Sequence, residues 1–244
     1  MRKVFLFTMV FAVGVCAWAY GGEFTYEVGQ VWTYDHEGPQ PWGTKDATGV
    51  RTCTVLRKAK VGDKDCWVIE DRYEQGERPI EEFVGPDHSV IRQILHGGES
   101  NDLAEFEPPL EDPLFSLEMG QEKQAECQVV FHGLADGQET NRFRFTRTMK
   151  RLPDESVTVP AGTFADCKRI SDRIVLHLEH EGTSFDVVAV RQAWWDSQKG
   201  LVKEEFVVEP LKGPDGTLYA PERKSKSILK SLTILPSASE PRPW

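Results

Sequence analysis

The stretch Val50-Arg51-Thr52-Cys53-Thr54-Val55-Leu56-Arg57-Lys58-Ala59-Lys60, followed by Val61-Gly62-Asp63-Lys64 and then Asp65-Cys66-Trp67-Val68-Ile69-Glu70-Asp71-Arg72-Tyr73, decides the fold class. β-Branched and aromatic residues alternate with charged ones on both sides of a Gly-Asp pair, the pattern of two strands joined by a tight hairpin. With Gly62-Asp63 as the turn, Cys66 falls opposite Ala59, and Cys53 lies six residues farther along its strand. The same period of two recurs at Gln30–Glu37, Ile80–Val84, Ser89–Leu95, Gln124–Gly133, Asn141–Arg151, Lys168–His180, Ser184–Trp194, Leu201–Val208 and Lys226–Ile234. Gly85-Pro86-Asp87, Asp136-Gly137, Glu181-Gly182-Thr183 and Pro214-Asp215-Gly216 punctuate these runs at hairpin spacing. The pattern predicts a mostly β protein: an antiparallel meander forming a curved sheet or incomplete barrel, with few short helices. Asp102–Phe106 and Asp112–Leu117 each suit a short turn, and Pro108-Pro109 between them breaks any longer helix.

The N-terminus has a different texture. Arg2 and Lys3 precede an apolar run from Val4 to Val15, then Ala17-Trp18-Ala19, the layout of a cleavable secretory signal. The apolar run is short for a membrane helix, and no later stretch approaches the roughly 20 apolar residues a span needs. Residues 1–19 are thus expected to be removed. Residues 20–235 read as one β domain, with any seam between two lobes at 97–120, and 236–244 as a disordered tail. Trp244 at the terminus does not make an outer-membrane strand, because the residues before it do not alternate. Cys16 invites lipidation, but Val15 stands where a lipoprotein signal carries a small residue. The expected location is the periplasm or the extracellular space. Without Arg2 and Lys3 the chain has 27 Lys and Arg against 39 Asp and Glu, a net charge of −12. That balance argues against nucleic acid and anionic membrane surfaces as partners.

Four cysteines remain in the mature chain: Cys53, Cys66, Cys127 and Cys167. In an oxidising compartment they suit two disulfides, with three connectivities, or four buried thiols in a β core. Cys53 with Cys66 is the least favoured pair, since six residues of strand separate them by about 20 Å where a disulfide needs about 5 to 6 Å.

Val157-Thr158-Val159-Pro160-Ala161-Gly162-Thr163-Phe164, then Trp194-Trp195, then Lys199-Gly200-Leu201-Val202-Lys203 form a further pattern. Pro160 ends ladder pairing, Gly162 supplies a backbone conformation other residues resist, and Gly200 suits a tight turn. Adjacent tryptophans on a strand point to opposite faces, which predicts one inside and one toward solvent, a ligand or the sheet's rim. These motifs, over roughly Ser156–Phe206, resemble an exported bacterial domain family of unknown function with V-x-V-P-A-G-x-F and G-L-V-K signatures. That family is similar in architecture to the lipoprotein-localisation carriers (LolA/LolB-like). The resemblance implies a curved antiparallel sheet around an apolar cavity.

Chemistry-bearing residues are sparse. His177, Glu179 and Glu181 share one strand face as metal ligands would, but Ile174, Leu176 and Leu178 fill the other, so a solvated face is the simpler reading. Asp35-His36-Glu37 alternates faces beside Gly38-Pro39. No nucleophile-elbow, zinc-protease, thioredoxin-type, phosphate-loop or dinucleotide pattern occurs. The expectation is a non-catalytic envelope module without cofactor, holding an apolar ligand such as a lipid, or a partner protein. The alternatives are a hydrolase, which would need Asp, Glu and His converging in one pocket, and a purely structural envelope protein.

Overall fold

The computed structural model describes residues 25–40, 46–75, 79–96, 102–111, 116–134, 137–180, 183–213 and 216–235. The leader with Cys16, the tail 236–244 and Glu181 lie outside the described residues. Fourteen strands follow in order: β1 Gln30–Glu37, β2 Gly49–Val61, β3 Lys64–Tyr73, β4 Ile80–Val84, β5 Val90–Leu95, β6 Asp102–Leu110 and β7 Glu122–Gly133. Then come β8 Glu139–Val159, β9 Gly162–His180, β10 Thr183–Asp196, β11 Gly200–Val208, β12 Leu211–Lys212, β13 Leu218–Ala220 and β14 Arg223–Ile234. Ala59 does face Cys66 across the β2–β3 hairpin.

Twelve strands form one closed antiparallel barrel: a meander from β1 to β11, then β14, which pairs with both β11 and β1. The small β12–β13 ribbon stands apart. The expected incomplete barrel is therefore corrected to a closed one, because β1 finds β14 over the register Gln30↔Ile234 to Glu37↔Lys226. The few short helices are corrected too, since no helix occurs among the described residues. Asp102–Phe106, expected as a turn, is part of β6. Ala104 and Phe106 point inward, and Pro108-Pro109 lie beyond the last β6–β7 pair, Glu107↔Gln128, where their missing N–H groups break no ladder bond there. β6 pairs with both β5 and β7, so residues 102–110 stitch the barrel together.

Inward positions are mostly apolar, while the outer face of β7 and β8 exposes Glu122, Gln124, Glu126, Gln128, Arg142, Arg144 and Lys150. A membrane barrel has the reverse arrangement, with lipid-facing apolar side chains outside. No helix among the described residues is long and apolar enough to cross a membrane.

The β8–β9 hairpin runs beyond the wall, and its tip turns over one end of the barrel. Ala161 N donates to Leu229 O on β14 (3.1 Å), and Val157 and Val159 join a buried cluster with Trp32, Tyr34, Trp194, Trp195 and Leu229. Pro160-Ala161 is the two-residue turn between the paired Val159 and Gly162. Gly162 has φ +133°, a region that side-chain-bearing residues rarely adopt, although a Cβ there would meet no atom within 4 Å. We expect Gly162→Val to cost on the order of 1 to 3 kcal/mol through backbone strain alone, and Gly162→Ala less. Denaturant unfolding of the three proteins checks this. Wild-type stability in Gly162→Val would remove the structural role assigned to the tip.

Candidate functional site

Strand alternation places one charged or amide residue in the middle of several inward faces. β4 reads Ile80, Glu82, Val84 along its buried side; β9 reads Ile170, Asp172, Ile174; β10 reads Ala189, Arg191, Ala193; β11 reads Phe206, Glu204, Val202. The flanking residues belong to two separate apolar clusters, one rich in Trp and Tyr near the hairpin tip, the other rich in Phe and Leu. Between the clusters lies a polar layer sealed from solvent.

Arg51 is its centre. Its Nε and Nη2 donate to both oxygens of Asp71 at 3.0 Å each, and its Nη1 donates to Glu204 Oε2 (2.6 Å) and Ser227 Oγ (3.1 Å). Glu204 Oε1 accepts from Arg191 Nε at 2.5 Å. The Arg51 guanidinium lies over the rings of Tyr34 and Tyr73, and that of Arg191 over Trp195. Arg51 is 0% exposed, Asp71 1%, Arg191 1% and Glu204 4%. At such burial each charge needs a close opposite partner, and two cations here meet two anions.

Glu82, also fully buried, has no cation of its own. Its Oε1 accepts from Gln93 Nε2 (2.7 Å), and Oε2 has no hydrogen-bond partner in the structure. Burial first, and the Asp71 carboxylate second, push its pKa well above the ordinary carboxyl range. Burial acts on Glu204 in the same sense, but the Arg191 and Arg51 guanidiniums outweigh it and hold the group at about 2. A second buried pair, Arg147 with Asp172 (2.6 Å), stands on β8 and β9.

His36 of the Asp35-His36-Glu37 run joins this layer. Its Nδ1 is 2.9 Å from Ser227 Oγ and its Nε2 3.2 Å from Pro39 O, with burial and then Arg51 lowering its pKa. Asp35 points outward to Lys230. The convergence of acids and a histidine that a hydrolase requires is thus present in composition, as Asp71, Glu82, Glu204 and His36. It is buried, and most of its polar atoms are bound to one another.

The sequence-predicted residues fall elsewhere. His177 Nδ1 contacts Asp186 Oδ1 (2.7 Å), Glu179 lies opposite Ser184, and no cluster of three or more metal-ligating side chains occurs among the described residues. Of the three surroundings expected for the outer of the paired tryptophans, solvent is excluded, since Trp194 is 2% and Trp195 0% exposed. A bulge separates them, Trp195 packs inside, and Trp194 is covered by Arg169 and Lys203 while its Nε1 donates to Glu155. Gly200 closes the β10–β11 turn with φ +101°. The two-disulfide reading is also corrected: Cys53, Cys66, Cys127 and Cys167 are free and buried. Cys53 Sγ donates to Asp71, Cys66 sits in a separate apolar cluster on β2 to β5, and burial pushes Cys127 and Cys167 up to about 12.

One open feature stands outside the layer. A surface cleft of about 410 Å³ is lined by Ser184, Phe185, Asp186 and Val188 on one wall and by Glu209 and Lys212 on the other.

The geometry defines a class: a closed antiparallel barrel with a filled, charge-bearing interior. No protein-family model matches the chain, and no curated protein matches it. A similar solved structure is a Bacteroides fragilis protein provisionally assigned as exported and described as having a YmcC-like fold. It shares 11% sequence identity, covers 86% of this chain and 98% of that one, and superposes with a TM-score of 0.40. At that distance it carries no inference about the interior or the cleft.

The charged layer makes stability depend on pH in two opposite senses. Glu204 titrates at about 2 folded against 4.5 unfolded, so it contributes about 3 kcal/mol above pH 4.5 that is lost as pH falls toward 2. Glu82 is raised, so stability it supports below pH 4.5 declines as pH climbs toward its folded value. Unfolding free energies followed across pH should show both slopes in wild type. Glu82→Gln should flatten only the alkaline one; an unchanged alkaline slope would mean Glu82 is not the buried acid.

Proposed function

We propose that the chain is an exported, non-catalytic barrel module that works through its outer surface, engaging a partner protein, and not through its lumen. The single observation that carries this reading is the sealed polar layer. An apolar ligand in the lumen would have to displace Arg51, Asp71, Glu204 and Arg191 from partners at 2.5 to 3.0 Å. Breaking a buried pair costs about 3 to 5 kcal/mol when one charge is left behind. The same burial argues against hydrolysis at His36, since a substrate has no approach to a ring that is 2% exposed.

The tripartite N-terminus, Arg2-Lys3, Val4–Val15 and Ala17-Trp18-Ala19, supports export and a mature chain starting near Tyr20. The resemblance of Val157–Phe164 and Lys199–Lys203 to exported bacterial domains points the same way. It also suggested a lipid-type cargo, which the filled interior speaks against.

Native mass spectrometry of protein purified from its own envelope tests both halves. The expected species begins near Tyr20 and carries no stoichiometric small molecule. Retained lipid at one molecule per chain would overturn the lumen argument, and a soluble cytoplasmic species beginning at Met1 would overturn export.

A further inference from the structure

We infer that the β1–β14 seam is an acid-sensitive latch, held shut by His36 while its ring is neutral and loosened when the ring takes a second proton. The longest connection between other neighbours in the barrel wall runs from Val208 to Arg223, whereas β1 and β14 are joined only through the whole chain. The wall can part here without stretching a short loop. Side-chain bonds across this junction therefore carry more of its closure than they do elsewhere.

His36 and Ser227 are direct cross-strand partners, and both are buried inside the wall. His36 Nε2 lies 3.2 Å from Pro39 O, a carbonyl that can only accept, so Nε2 carries the ring's hydrogen. Nδ1 of the neutral ring is then bare and accepts from the Ser227 hydroxyl at 2.9 Å. The same Oγ accepts from Arg51 Nη1 at 3.1 Å, so one hydroxyl fastens β14 to β1 and, past β1, to β2. A second proton on the ring goes to Nδ1. The Ser227 hydrogen then loses its acceptor, its oxygen faces donors from both sides, and an imidazolium stands next to a guanidinium. On the outer side of the seam Lys230 meets Asp35, an exposed pair that holds it weakly.

The groups around the ring set the sense of the response. Burial and Arg51 on β2 oppose a second proton, while Asp71 on β3 and Glu204 on β11 favour it, although both carboxylates are already bonded to guanidiniums. Tyr73 on β3 adds a phenol ring edge-on at 4.8 Å, and Asp46, ahead of β2, is exposed. The balance lowers the ring's pKa, so the closed seam holds His36 neutral. A parted seam lets the ring meet water and titrate near its ordinary 6.5. The stability that His36 lends the seam is thus complete above pH 6.5 and is lost as pH falls toward the lower folded value.

Amide hydrogen exchange of the full mature protein at pH 7 and pH 5, corrected for the intrinsic pH dependence of exchange, tests the latch. Glu204, held at about 2, stays ionised across that window. Protection of residues 34–37 and 226–229 should fall at least about threefold more than that of the paired segments 144–152 and 169–177. His36→Gln replaces the ring nitrogens by an amide that takes no proton, and whatever its protection at pH 7 it should show no selective acid response at the seam. His88, held at about 4 by burial, packs against Tyr26 away from the seam, and any acid effect it has is common to both proteins. Should His36→Gln fail to fold, the comparison of the two regions within the wild type still decides. A seam that loses no more protection at pH 5 than the control segments, or a selective acid response that survives in His36→Gln, overturns the latch. Either outcome leaves the sealed-lumen reading standing.

Discussion

The bidentate pairing of Arg51 with Asp71, carried on through Glu204 to Arg191, is the constraint around which the interior is organised. A barrel of this many strands leaves more room than short side chains fill, and long side chains linking neighbouring strands, with Arg51 reaching past β1 and β14 to Glu204, help occupy it. Arginine suits this because its stem is apolar and its planar head satisfies several acceptors at once. Arg51, Arg191 and Arg147 are matched by Asp71, Glu204 and Asp172, and the buried carboxyl without an ion-pair partner, Glu82, has its pKa pushed up by burial and then by Asp71.

The layer also fixes register. On β4, β9, β10 and β11 the polar residue stands between two apolar ones, so a slip of one residue would expose the apolar set and leave the charge outside. A slip of two would drive a guanidinium or carboxylate into the Trp-rich or Phe-rich cluster. The aromatic end adds directional bonds of its own: Trp32 Nε1 donates to Lys199 O and Tyr34 OH to Leu201 O, tying β1 to the start of β11 across the intervening β14. The hairpin tip with Gly162 then lies over that end. The V-x-V-P-A-G-x-F pattern, whatever family it belongs to, is locally the sequence of a lid.

Strand identity was legible in the sequence because alternation is a local signal. β1 and β4 match the expected bounds at both ends, and the β2–β3 register follows from one turn. β6 was missed since two prolines and a run of acids mimic a breaker, and its inward Ala104 and Phe106 are too few to show a period. The barrel's closure was not legible, because nothing local in Gln30–Glu37 announces a partner about 190 residues away. The charged layer was hidden by the rule that found the strands. Charged residues are assigned outward by default, and Arg51, Glu82, Arg191 and Glu204 each have a polar or charged residue beside them (Thr52, Glu81, Gln192, Lys203 and Glu205), so nothing local marks which of the two faces inward. Facing positions, such as Ala193 against Glu204, became visible only once the sheet was assembled.

The β1–β14 seam has a consequence for how the chain comes together. Every other neighbouring pair in the meander from β1 to β11 is joined by a hairpin or short connection, so those contacts form with little loss of loop entropy. The seam instead joins the first strand to the last, and both flanks of β1 are needed to complete the layer around His36, Arg51 and Ser227. A chain emerging from its N-terminus holds β1 with one edge unmatched until residues 223–234 arrive. Through that interval Arg51 has Asp71 within reach on β3 and Glu204 has Arg191 on β10, while Ser227 lies on the strand still to come. Closing the seam therefore adds no charge to the interior: it shuts the wall and sets the Ser227 hydroxyl between Arg51 and His36.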